Sequence, residues 1–421
     1  MSASRPPGER SGSIAPALGA FTAGQLVRLC DVVGLSASDA EIYARVLIDT
    51  LGPLAERPLD LPPPSDSFLS DDHTPVEFSL SFLPGAAPTL RLLLEPGCGV
   101  GGLPQDGRAG LRVVRELARR WDFSTGQLDR LEDLFFPTST QGPATGGPFT
   151  EDSFTEGPFT ADSFTEGPFT EAPFTEGTSA AGSFDLWCAL ELRPGGVPRM
   201  KVYLNPAASG QERSADTVRE ALRRLGHREA FESLPRADGY PFLALDLGDW
   251  DTPRVKVYLR HDDLSAAEAC RLPRMSPGPG AAEILEFFGT AAGSLRSGEG
   301  QDARLGGRPG LSCHAFTESA TGLPSGFTLH IPVRDYVRHD GEALARAVTV
   351  LSRHGMNPAP LLGSLAAVTS RLPRDGVGLI AYLALTHQHG RPPRVTAYIS
   401  SEAYSVRPPV ARLPQQVETV H

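Results

Sequence analysis

Basic and aromatic side chains alternate with aliphatic residues in several short stretches of this 421-residue chain. Lys201 stands two positions before Tyr203, and Lys256 stands two positions before Tyr258, with a valine between each pair. This period of two indicates β-strands with one polar face and one aliphatic face. Lysine and arginine bind anionic oxygens, and tyrosine offers both a hydroxyl donor and an electron-rich ring. The stretches therefore predict a shared site for ligands that are anionic and aromatic.

Five basic residues on such polar faces are the candidate ligands of the anion. They are Arg91, Lys201, Arg254, Lys256 and Arg394. Gathered in one cavity, they would repel one another and lose hydration unless a counter-anion were bound. A diphosphate group supplies that counter-charge, because each charge-assisted hydrogen bond contributes roughly 1.5–3 kcal/mol. We therefore expect this set to bind a diphosphate.

Four tyrosines are expected to accompany the basic residues: Tyr203, Tyr258, Tyr382 and Tyr398. Their hydroxyls are suited to bonding phosphate oxygens, and a ring face stabilises a carbocation by about 0.5–2 kcal/mol. Ordinary cross-strand packing is the alternative explanation, although it accounts less well for the repeated Lys-x-Tyr spacing.

One acidic residue, Glu77, is predicted on a strand, where it shares its face with Ser79 and Ser81. Beside a basic chamber its carboxylate is expected to remain ionised and to accept a hydrogen bond from an indole N–H. A salt bridge to Arg91 explains its position equally well.

No metal-binding motif accompanies these residues in the sequence. Asp71-Asp72-His73 and Asp262-Asp263 lack the DDxxD spacing that gathers magnesium around prenyl diphosphates, and neither a P-loop nor a GxGxxG after a strand occurs. Asp71 and Asp72 are expected to form a turn or a helix cap. The diphosphate is therefore predicted to be neutralised by lysine and arginine alone, with no metal and no other cofactor.

Signals for two helices and then two strands recur five times along the chain. Helices are predicted near 21–34, 38–52, 106–120, 124–134, 214–225, 228–233, 265–270, 280–293, 341–354 and 358–370. Strands are predicted near 76–83, 89–95, 184–193, 199–205, 242–248, 254–260, 311–317, 326–333, 377–387 and 393–400. Capping boxes of the form Ser-x-x-Glu or Ser-x-x-Gln at Ser38, Ser124 and Ser265 are predicted to begin three of the helices.

Ten hairpin-linked strands would strain an open twisted sheet, so closure into an α/β barrel of mostly antiparallel strands is expected. The helices would cover the aliphatic faces from outside, and the polar faces would line a lumen wide enough for a ligand. An open sheet with helices on one side, and the Lys and Tyr faces in solvent, is the alternative.

Composition argues against several other classes of protein. The chain has 39 basic and 50 acidic residues and a net charge of −11, whereas nucleic-acid-binding domains normally carry a basic excess. No apolar run approaches the roughly 20 residues that span a bilayer, and the segment from Met1 to Pro16 lacks the apolar core of a secretory signal. The five cysteines are scattered and without a CxxC pair, which favours a reducing cytoplasm over a disulfide framework or a zinc site.

Residues 147–176 are three tandem decapeptides that each begin with Gly-Pro-Phe-Thr. Isolated phenylalanines among proline, threonine and acidic residues cannot bury a core. We therefore expect 143–182 to be a flexible insertion in a single domain over 21–413, with flexible tails at 1–20 and 414–421. A docking motif or a small β-solenoid is the alternative for the repeats.

An ordered set of motifs resembles the dimethylallyltryptophan synthase family of aromatic prenyltransferases. The motifs are PVEFSLSF around Glu77, LRLLLEPG around Arg91, KVYLNP at 201–206, RVKVYL at 254–259, TLHIPVRDY at 328–336 and RVTAYISSEAY at 394–404. The resemblance runs from about Phe21 to about Pro409 outside the insertion, and it looks closest to actinobacterial tryptophan 6-dimethylallyltransferases. It implies an ABBA-type PT barrel, with ten antiparallel strands around a polar lumen and a ring of helices in five ααββ units.

The resemblance also implies a reaction that needs no metal. Dimethylallyl diphosphate would ionise in the chamber, and the cation would alkylate the indole ring of L-tryptophan, at carbon 6, with release of diphosphate. The five basic residues would grip the diphosphate, and the four tyrosines would complete its cage and shield the cation. Glu77 would hold the indole N–H and so orient the ring.

Two positions depart from fungal enzymes that prenylate carbon 4 of indole. Thr328-Leu329-His330 stands where those enzymes tend to show Gln-x-Tyr, and Trp187-Cys188 stands where they place a lysine. His330 is then a candidate catalytic base for the ring proton, with an ordinary pKa of about 6.5; hydrogen bonding to substrate or a strand neighbour is the alternative. Thr328 and Trp187 are expected in the aromatic substrate pocket, although Trp187 could equally fill the lumen wall.

We therefore expect a cytoplasmic enzyme of secondary metabolism, of the kind that makes alkaloids, acting as a monomer or weak homodimer. Its partners would be L-tryptophan or an indole derivative and dimethylallyl diphosphate, with no nucleic acid and no membrane. The same chemistry at another indole position, or on tryptophan-containing peptides, stays open. A non-catalytic barrel that binds a small molecule is the alternative from another class, although a carrier of apolar ligands would not concentrate positive charge in its lumen.

Overall fold

Ten antiparallel β-strands close into one barrel in the computed structural model, which describes residues 15–97, 107–137, 184, 186–248, 253–293, 303–317 and 321–411. The strands are β1 (Val76–Phe82), β2 (Thr89–Leu94), β3 (Leu186–Glu191), β4 (Arg199–Leu204), β5 (Gly239–Asp246), β6 (Val255–His261), β7 (Gly310–Phe316), β8 (Gly326–Ile331), β9 (Ile380–Gln388) and β10 (Arg391–Ser400). Each strand pairs with its neighbours in chain order, and β1 pairs with β10 to complete the ring. The predicted closed barrel is confirmed, and the open-sheet alternative is wrong.

Helices precede each of the five hairpins, as predicted from the repeated ααββ pattern. They are α1 (Leu18–Val32), α2 (Ala37–Leu51), α3 (Gly107–Arg120), α4 (Gly126–Asp129), α5 (Glu132–Phe135), α6 (Ser214–Arg224), α7 (Ala266–Ala269), α8 (Ala281–Ala292), α9 (Asp340–Arg353) and α10 (Ala359–Val368). Two segments differ from prediction: 124–134 forms the two short helices α4 and α5, and 228–233 forms only a 3-10 turn at Phe231–Ser233. So short a segment gains too few hydrogen bonds to offset the cost of starting an α-helix.

The aliphatic face of each strand packs outward against the helices. On β1, for example, Phe78 and Leu80 are fully buried in the same core as Leu26 of α1 and Leu47 of α2. Burial of this kind contributes about 25 cal/mol for each Å² of apolar surface removed from water. Because successive side chains of a strand point to opposite faces, the polar positions line the lumen.

The cap of α2 lies two residues before the predicted one. The helix begins at Ala37, and the Oγ of Ser36, rather than of Ser38, accepts a hydrogen bond from the Asp39 N–H at 3.1 Å. The Asp39 carboxylate completes the capping box and also accepts from the Gly195 N–H at 2.9 Å, in the turn between β3 and β4. This second contact ties the start of α2 to the barrel, which explains why the helix begins there.

The other two predicted caps have different outcomes. Ser265 and Glu268 form the predicted capping box at the start of α7. At α4, Thr125 occupies the cap position without a side-chain hydrogen bond, so the predicted box at Ser124 is wrong. The Ser124 Oγ instead accepts from the Gly126 N–H at 3.3 Å and stabilises the turn that leads into the helix.

A buried polar relay connects β6 and β7 on their outer faces. His261 Nε2 lies 2.8 Å from Ser312 Oγ, which lies 3.3 Å from His314 Nε2. None of the three residues is more than 5% exposed. Burial lowers the pKa of His261 to about 4 and that of His314 to about 3, so both imidazoles are neutral at physiological pH.

Some sequence predictions concern residues outside the described ranges. They are the insertion at 143–182, the tail at 414–421 and most of the tail at 1–20, although α1 already begins at Leu18. In the described part of the chain, no helix is both long and apolar enough to cross a bilayer. The cysteines that the structure describes there as unbridged are Cys30, Cys188, Cys270 and Cys313.

Candidate active site

The strand register brings the predicted site residues together on the lumen wall. Ser79 of β1 lies between Arg91 of β2 and Tyr398 of β10, and Lys201 of β4 lies opposite Asp246 of β5. The lumen has two ends: the hairpin end, where the hairpin turns join the strands, and the helix end, where the strands connect to helices. Because of their positions along the strands, the five predicted basic residues lie toward the hairpin end. Glu77, Trp187 and His330 lie toward the helix end.

Three of the five basic residues are paired with carboxylates. Arg91 Nη2 lies 3.1 Å from Glu191 Oε2, and Lys201 Nζ lies 3.1 Å from Asp246 Oδ1. The other oxygen of Asp246 lies 2.6 Å from Arg254 Nη2. Neither acid was predicted from the sequence, although both follow the alternation of their own strands. These contacts hold the basic side chains in place at the hairpin end before any ligand binds.

Lys256 and Arg394 carry charge that the two carboxylates leave uncompensated. Lys256 forms no ion pair with any described residue, and burial lowers its pKa well below the ordinary value, reinforced by Lys201, Arg254 and Arg394. Burial, together with the nearby Arg91 and Arg254, lowers the pKa of Arg394 to about 10. Five basic side chains against two carboxylates leave a formal excess of three positive charges at this end of the lumen. The arrangement is suited to a multiply charged anion such as a diphosphate.

Aromatic rings form a continuous row across the lumen wall. The ring centres of Tyr203 and Tyr258 are 5.7 Å apart, and those of Tyr258 and His330 are also 5.7 Å apart. The row continues from His330 to Tyr398 at 5.9 Å and from Tyr398 to Tyr382 at 6.3 Å. All four predicted tyrosines thus lie in one wall with the predicted base. Their ring faces can stabilise a positive charge in the lumen.

His330 is buried within this row and has a hydrogen-bonding neighbour. Its Nε2 lies 3.3 Å from the Tyr398 hydroxyl. Burial, together with the nearby Lys256 ammonium, lowers the pKa of His330 to about 3. The imidazole is therefore neutral at physiological pH and has a nitrogen that can accept a proton.

Glu77 is buried near the helix end, and its ionisation differs from the expectation. Burial raises its pKa to about 8; the Arg334 guanidinium opposes this shift, and Asp71 adds to it. The expectation that Glu77 stays ionised at neutral pH is therefore wrong for the protein without substrates. The alternative salt bridge is also wrong, because Arg91 pairs with Glu191 instead.

The Asp71-Asp72 pair has two separate structural roles. Asp72 accepts hydrogen bonds from the N–H groups of Thr74 at 3.2 Å and Tyr404 at 3.0 Å, which confirms the predicted turn. Asp71 instead forms an ion pair with Arg308 at 2.9 Å. Among the residues that the structure describes, no group of three or more His, Cys, Asp or Glu side chains is placed to hold a metal ion.

Comparison with known proteins identifies the family. The sequence profile described as tryptophan dimethylallyltransferase matches residues 37–276. The prenyltransferase PriB, crystallised in a ternary complex with L-tryptophan and dimethylallyl thiolodiphosphate, is 58% identical, with a TM-score of 0.81 over 94% of this chain and 100% of that chain. The chain belongs to the tryptophan dimethylallyltransferase family.

Two further members of the tryptophan dimethylallyltransferase family with solved structures are similar to this chain. The 5-dimethylallyl tryptophan synthase from Streptomyces coelicolor is 58% identical, with a TM-score of 0.78 over 95% of this chain and 99% of that chain. The 6-dimethylallyltryptophan synthase from Micromonospora olivasterospora is 36% identical, with a TM-score of 0.73 over 93% of this chain and 99% of that chain. The family and enzyme class predicted from the motifs are confirmed, and the alternative of a non-catalytic barrel is wrong.

In this family member an aromatic cluster surrounds Trp187. The Trp187 ring lies 4.3 Å from that of Phe184 and 4.9 Å from that of Phe242, and Leu69 packs on the same cluster. Trp187 therefore packs in the lumen wall, and its expected contact with the aromatic substrate stays a prediction. Phe242 was not predicted as a site residue from the sequence, although it shares one face of β5 with Asp246.

Thr328 lies on the lumen face, where the sequence placed it. Its Oγ1 is 3.0 Å from Thr386 Oγ1, and its backbone pairs with Cys313 on β7. This hydroxyl pair lies midway along the lumen, between the basic residues and Glu77. Its position fits a role in the pocket wall.

Proposed function

We propose that this protein transfers the dimethylallyl group of dimethylallyl diphosphate to carbon 6 of the indole ring of L-tryptophan. The observation that carries the proposal is the division of the lumen. An excess of positive charge lies at the hairpin end, a row of aromatic rings follows, and Glu77 lies toward the helix end. The ternary complex of PriB with L-tryptophan and dimethylallyl thiolodiphosphate supports this choice of substrates.

The donor is activated at the hairpin end. Arg91, Lys201, Arg254, Lys256 and Arg394 bind the diphosphate, each charge-assisted hydrogen bond contributing roughly 1.5–3 kcal/mol. The bond between carbon 1 and oxygen breaks, and diphosphate leaves with the electron pair. Because Arg91, Lys201 and Arg254 are fixed beforehand by their carboxylate partners, they stabilise the leaving charge without rearrangement. We propose that this step needs no metal ion.

The allyl cation then lies against the row of tyrosines. Their electron-rich faces shield it from water and stabilise its charge by about 0.5–2 kcal/mol for each well-placed ring. Tyr258 and Tyr398 remain protonated because burial raises their pKa values above the ordinary range, so their hydroxyls can also donate to the diphosphate. The same side chains thus serve both the leaving group and the cation.

The acceptor is held by Glu77 through its indole N–H. This hydrogen bond favours the ionised carboxylate, so substrate binding lowers the raised pKa of Glu77. The indole carbon attacks the cation, a carbon–carbon bond forms, and the ring carries a positive charge. His330 then accepts the ring proton; a pKa of about 3 suffices, because such a ring cation is a strong acid.

Carbon 5 is a second candidate for the prenylated position. The S. coelicolor 5-dimethylallyl synthase is 58% identical to this chain, whereas the M. olivasterospora 6-dimethylallyl synthase is 36% identical. The motif resemblance favours carbon 6, and the higher identity favours carbon 5. Other acceptors, a cytoplasmic location and the monomer or weak homodimer stay predictions.

The test is an EDTA-treated incubation with L-tryptophan and dimethylallyl diphosphate, followed by mass spectrometry and proton NMR of the product. A gain of one dimethylallyl group and loss of the carbon 6 proton is expected. Loss of the carbon 5 proton instead would favour the second candidate, and a requirement for added magnesium would contradict the metal-independent step. The Glu77→Gln variant, purified and treated with EDTA in the same way, serves as a low-activity control.

A further inference from the structure

An arginine that was not predicted from the sequence lies at the helix end of the lumen. Arg334 follows β8 directly, in a single 3-10 turn, and its side chain is only 4% exposed. Its guanidinium carbon is 5.2 Å from the centre of the Tyr382 ring, which packs edge-on against Tyr398. Tyr398 pairs with Ser79, two residues from Glu77 on the same strand face. Arg334 therefore belongs to the same end of the lumen as Glu77.

The charge around Arg334 is only partly compensated. Asp71 Oδ1 lies 3.1 Å from Arg334 Nη2 and 2.9 Å from Arg308 Nη2. Asp335 pairs with Arg308 at 2.8 Å and with Arg407 at 3.3 Å. Three guanidinium groups thus share two carboxylates, which leaves one formal positive charge. Glu77 does not balance it, since its pKa of about 8 leaves it largely protonated at neutral pH.

Arg334 is the member of this cluster that combines an unused donor with deep burial, because the Nε of Arg407 also has no acceptor among the described residues but that side chain is 39% exposed. The buried Nε–H of Arg334 has no acceptor among the described residues. Arg308, by contrast, is engaged by both carboxylates and lies against the Tyr382 hydroxyl. A buried guanidinium with an unsatisfied donor and a surplus charge points to an anionic ligand. The planar guanidinium can form two parallel hydrogen bonds to a carboxylate. Of the two proposed substrates, L-tryptophan is the one that carries a carboxylate.

We propose that Arg334 binds the α-carboxylate of the amino-acid acceptor, with Asp71 as the residue that positions it. This inference rests on the proposed function, because it takes the acceptor to be L-tryptophan. The diphosphate is the other anion of the reaction, but its binding residues lie toward the opposite, hairpin end. The acceptor would then be held at two points, by its indole N–H at Glu77 and by its carboxylate at Arg334. Two-point binding fixes both the position and the rotation of the ring before the cation forms.

The test compares L-tryptophan with tryptamine, which lacks the carboxylate, in the wild-type enzyme and in Arg334→Met and Arg334→Lys. We expect the wild type to prefer L-tryptophan. Arg334→Met should lower kcat/KM for L-tryptophan on the order of 10- to 100-fold, mainly through KM, with little change for tryptamine. Arg334→Lys keeps the positive charge but loses the planar guanidinium with its paired N–H donors. It should therefore restore part of the preference for L-tryptophan over tryptamine.

Arg407→Met is the matched control. It removes a guanidinium from the same acidic partners, but Arg407 is 39% exposed and we do not place it at the acceptor. Its ratio of kcat/KM values for the two substrates should equal that of the wild type. Equal losses for both substrates in Arg334→Met, or the same change of ratio in Arg407→Met, would overturn the inference.

Two further outcomes keep the test decisive. If Arg334→Met does not fold, the wild-type ratio and the Arg334→Lys ratio decide, and a wild type without preference for L-tryptophan overturns the inference. If the wild type prenylates tryptamine but not L-tryptophan, the carboxylate site is excluded while prenyl transfer to indole stands. No product from either acceptor would overturn the proposed function itself and, with it, this inference.

Discussion

The Nε2 atom of His330 lies 3.3 Å from the hydroxyl of Tyr398, so the candidate base and one of the cation-shielding rings are direct neighbours. In the proposed reaction, the proton acceptor is therefore next to one of the rings that would shield the cation. Because Tyr398 also pairs with Ser79 on β1, the same contact connects the base to the strand that carries Glu77.

The first prediction concerns His330→Gln. The amide can still bond the Tyr398 hydroxyl, but it cannot accept a proton, so kcat should fall about 100-fold or more while KM for L-tryptophan changes little. Kinetics with ring-deuterated L-tryptophan provide the measurement: slower proton removal should give a larger isotope effect in the variant than in the wild type. Tyr398→Phe separates loss of the hydroxyl from loss of the base. Unchanged kcat in His330→Gln would assign His330 to hydrogen bonding alone.

The second prediction concerns the ionisation of Glu77. Its pKa is raised to about 8, so the ionised form that accepts the indole N–H becomes more abundant as the pH rises. We expect kcat/KM for L-tryptophan to increase with pH through about 8 in the wild type. Glu77→Gln should be about 10- to 100-fold slower, and its profile should lack that rise.

Binding of the thiolodiphosphate analogue by calorimetry is the control for this variant, because the basic residues are untouched and the affinity should match the wild type. An identical pH profile in Glu77→Gln would show that another group titrates. A large loss of analogue binding would place Glu77 in the donor site instead.

The third prediction concerns Lys256→Met. Lys256 has no carboxylate partner among the described residues, so its removal leaves no acid exposed, and the loss should appear directly in diphosphate binding. We expect the Kd of the thiolodiphosphate analogue to rise about 10- to 100-fold, with or without EDTA. Arg199→Met is the matched control, because Arg199 lies on the neighbouring rim of the lumen with 68% of its side chain exposed. Equal effects of the two variants would indicate a general influence of charge rather than a direct contact.

The fourth prediction concerns acid stability. The pKa values of His261 and His314 are lowered to about 4 and about 3 in the folded protein, whereas the unfolded chain has the ordinary value of about 6.5. Below pH 6.5 the unfolded state therefore binds more protons, and stability falls as the pH decreases toward 4. Each histidine contributes at most roughly 1.4 kcal/mol per pH unit to that fall.

Urea denaturation at several pH values between 7.5 and 4.5 measures this effect. His314→Gln should show a shallower decrease in the free energy of unfolding than the wild type, because it removes one of the groups that gain a proton on unfolding. The difference between the two proteins isolates the histidine from the other titrating groups. Parallel curves for the two proteins would contradict the prediction.

The strands and their polar faces could be predicted from the sequence because each is a local pattern. The alternation of Lys201 with Tyr203, and of Lys256 with Tyr258, needs only the period of a strand, and closure follows from the number of hairpins. A single acid in an apolar strand, such as Asp246, carries no comparable signal until the register places it opposite Lys201.

The remaining parts of the site depend on tertiary structure. Arg334 lies in a turn beyond its strand, and only the packing of Tyr382 and Asp71 around it gives it a place in the lumen. The ionisation of Glu77 depends on burial, which a sequence does not state. The flexible insertion at 143–182 stays a prediction; deletion of residues 147–176 is expected to leave folding and activity intact.

Closure of the ring between the first and last strands has a consequence for synthesis in the cell. Ser81 and Thr396 face each other across that closure, hydrogen-bonded at 3.4 Å although they are 315 positions apart in the sequence. While the ribosome is still making the last strand, the nascent polypeptide has an unpaired edge on β1 and no complete chamber. Long-range pairing of this kind also slows folding. A message truncated shortly before β10 would therefore yield no partly active enzyme, only a chain that exposes a sheet edge to its neighbours.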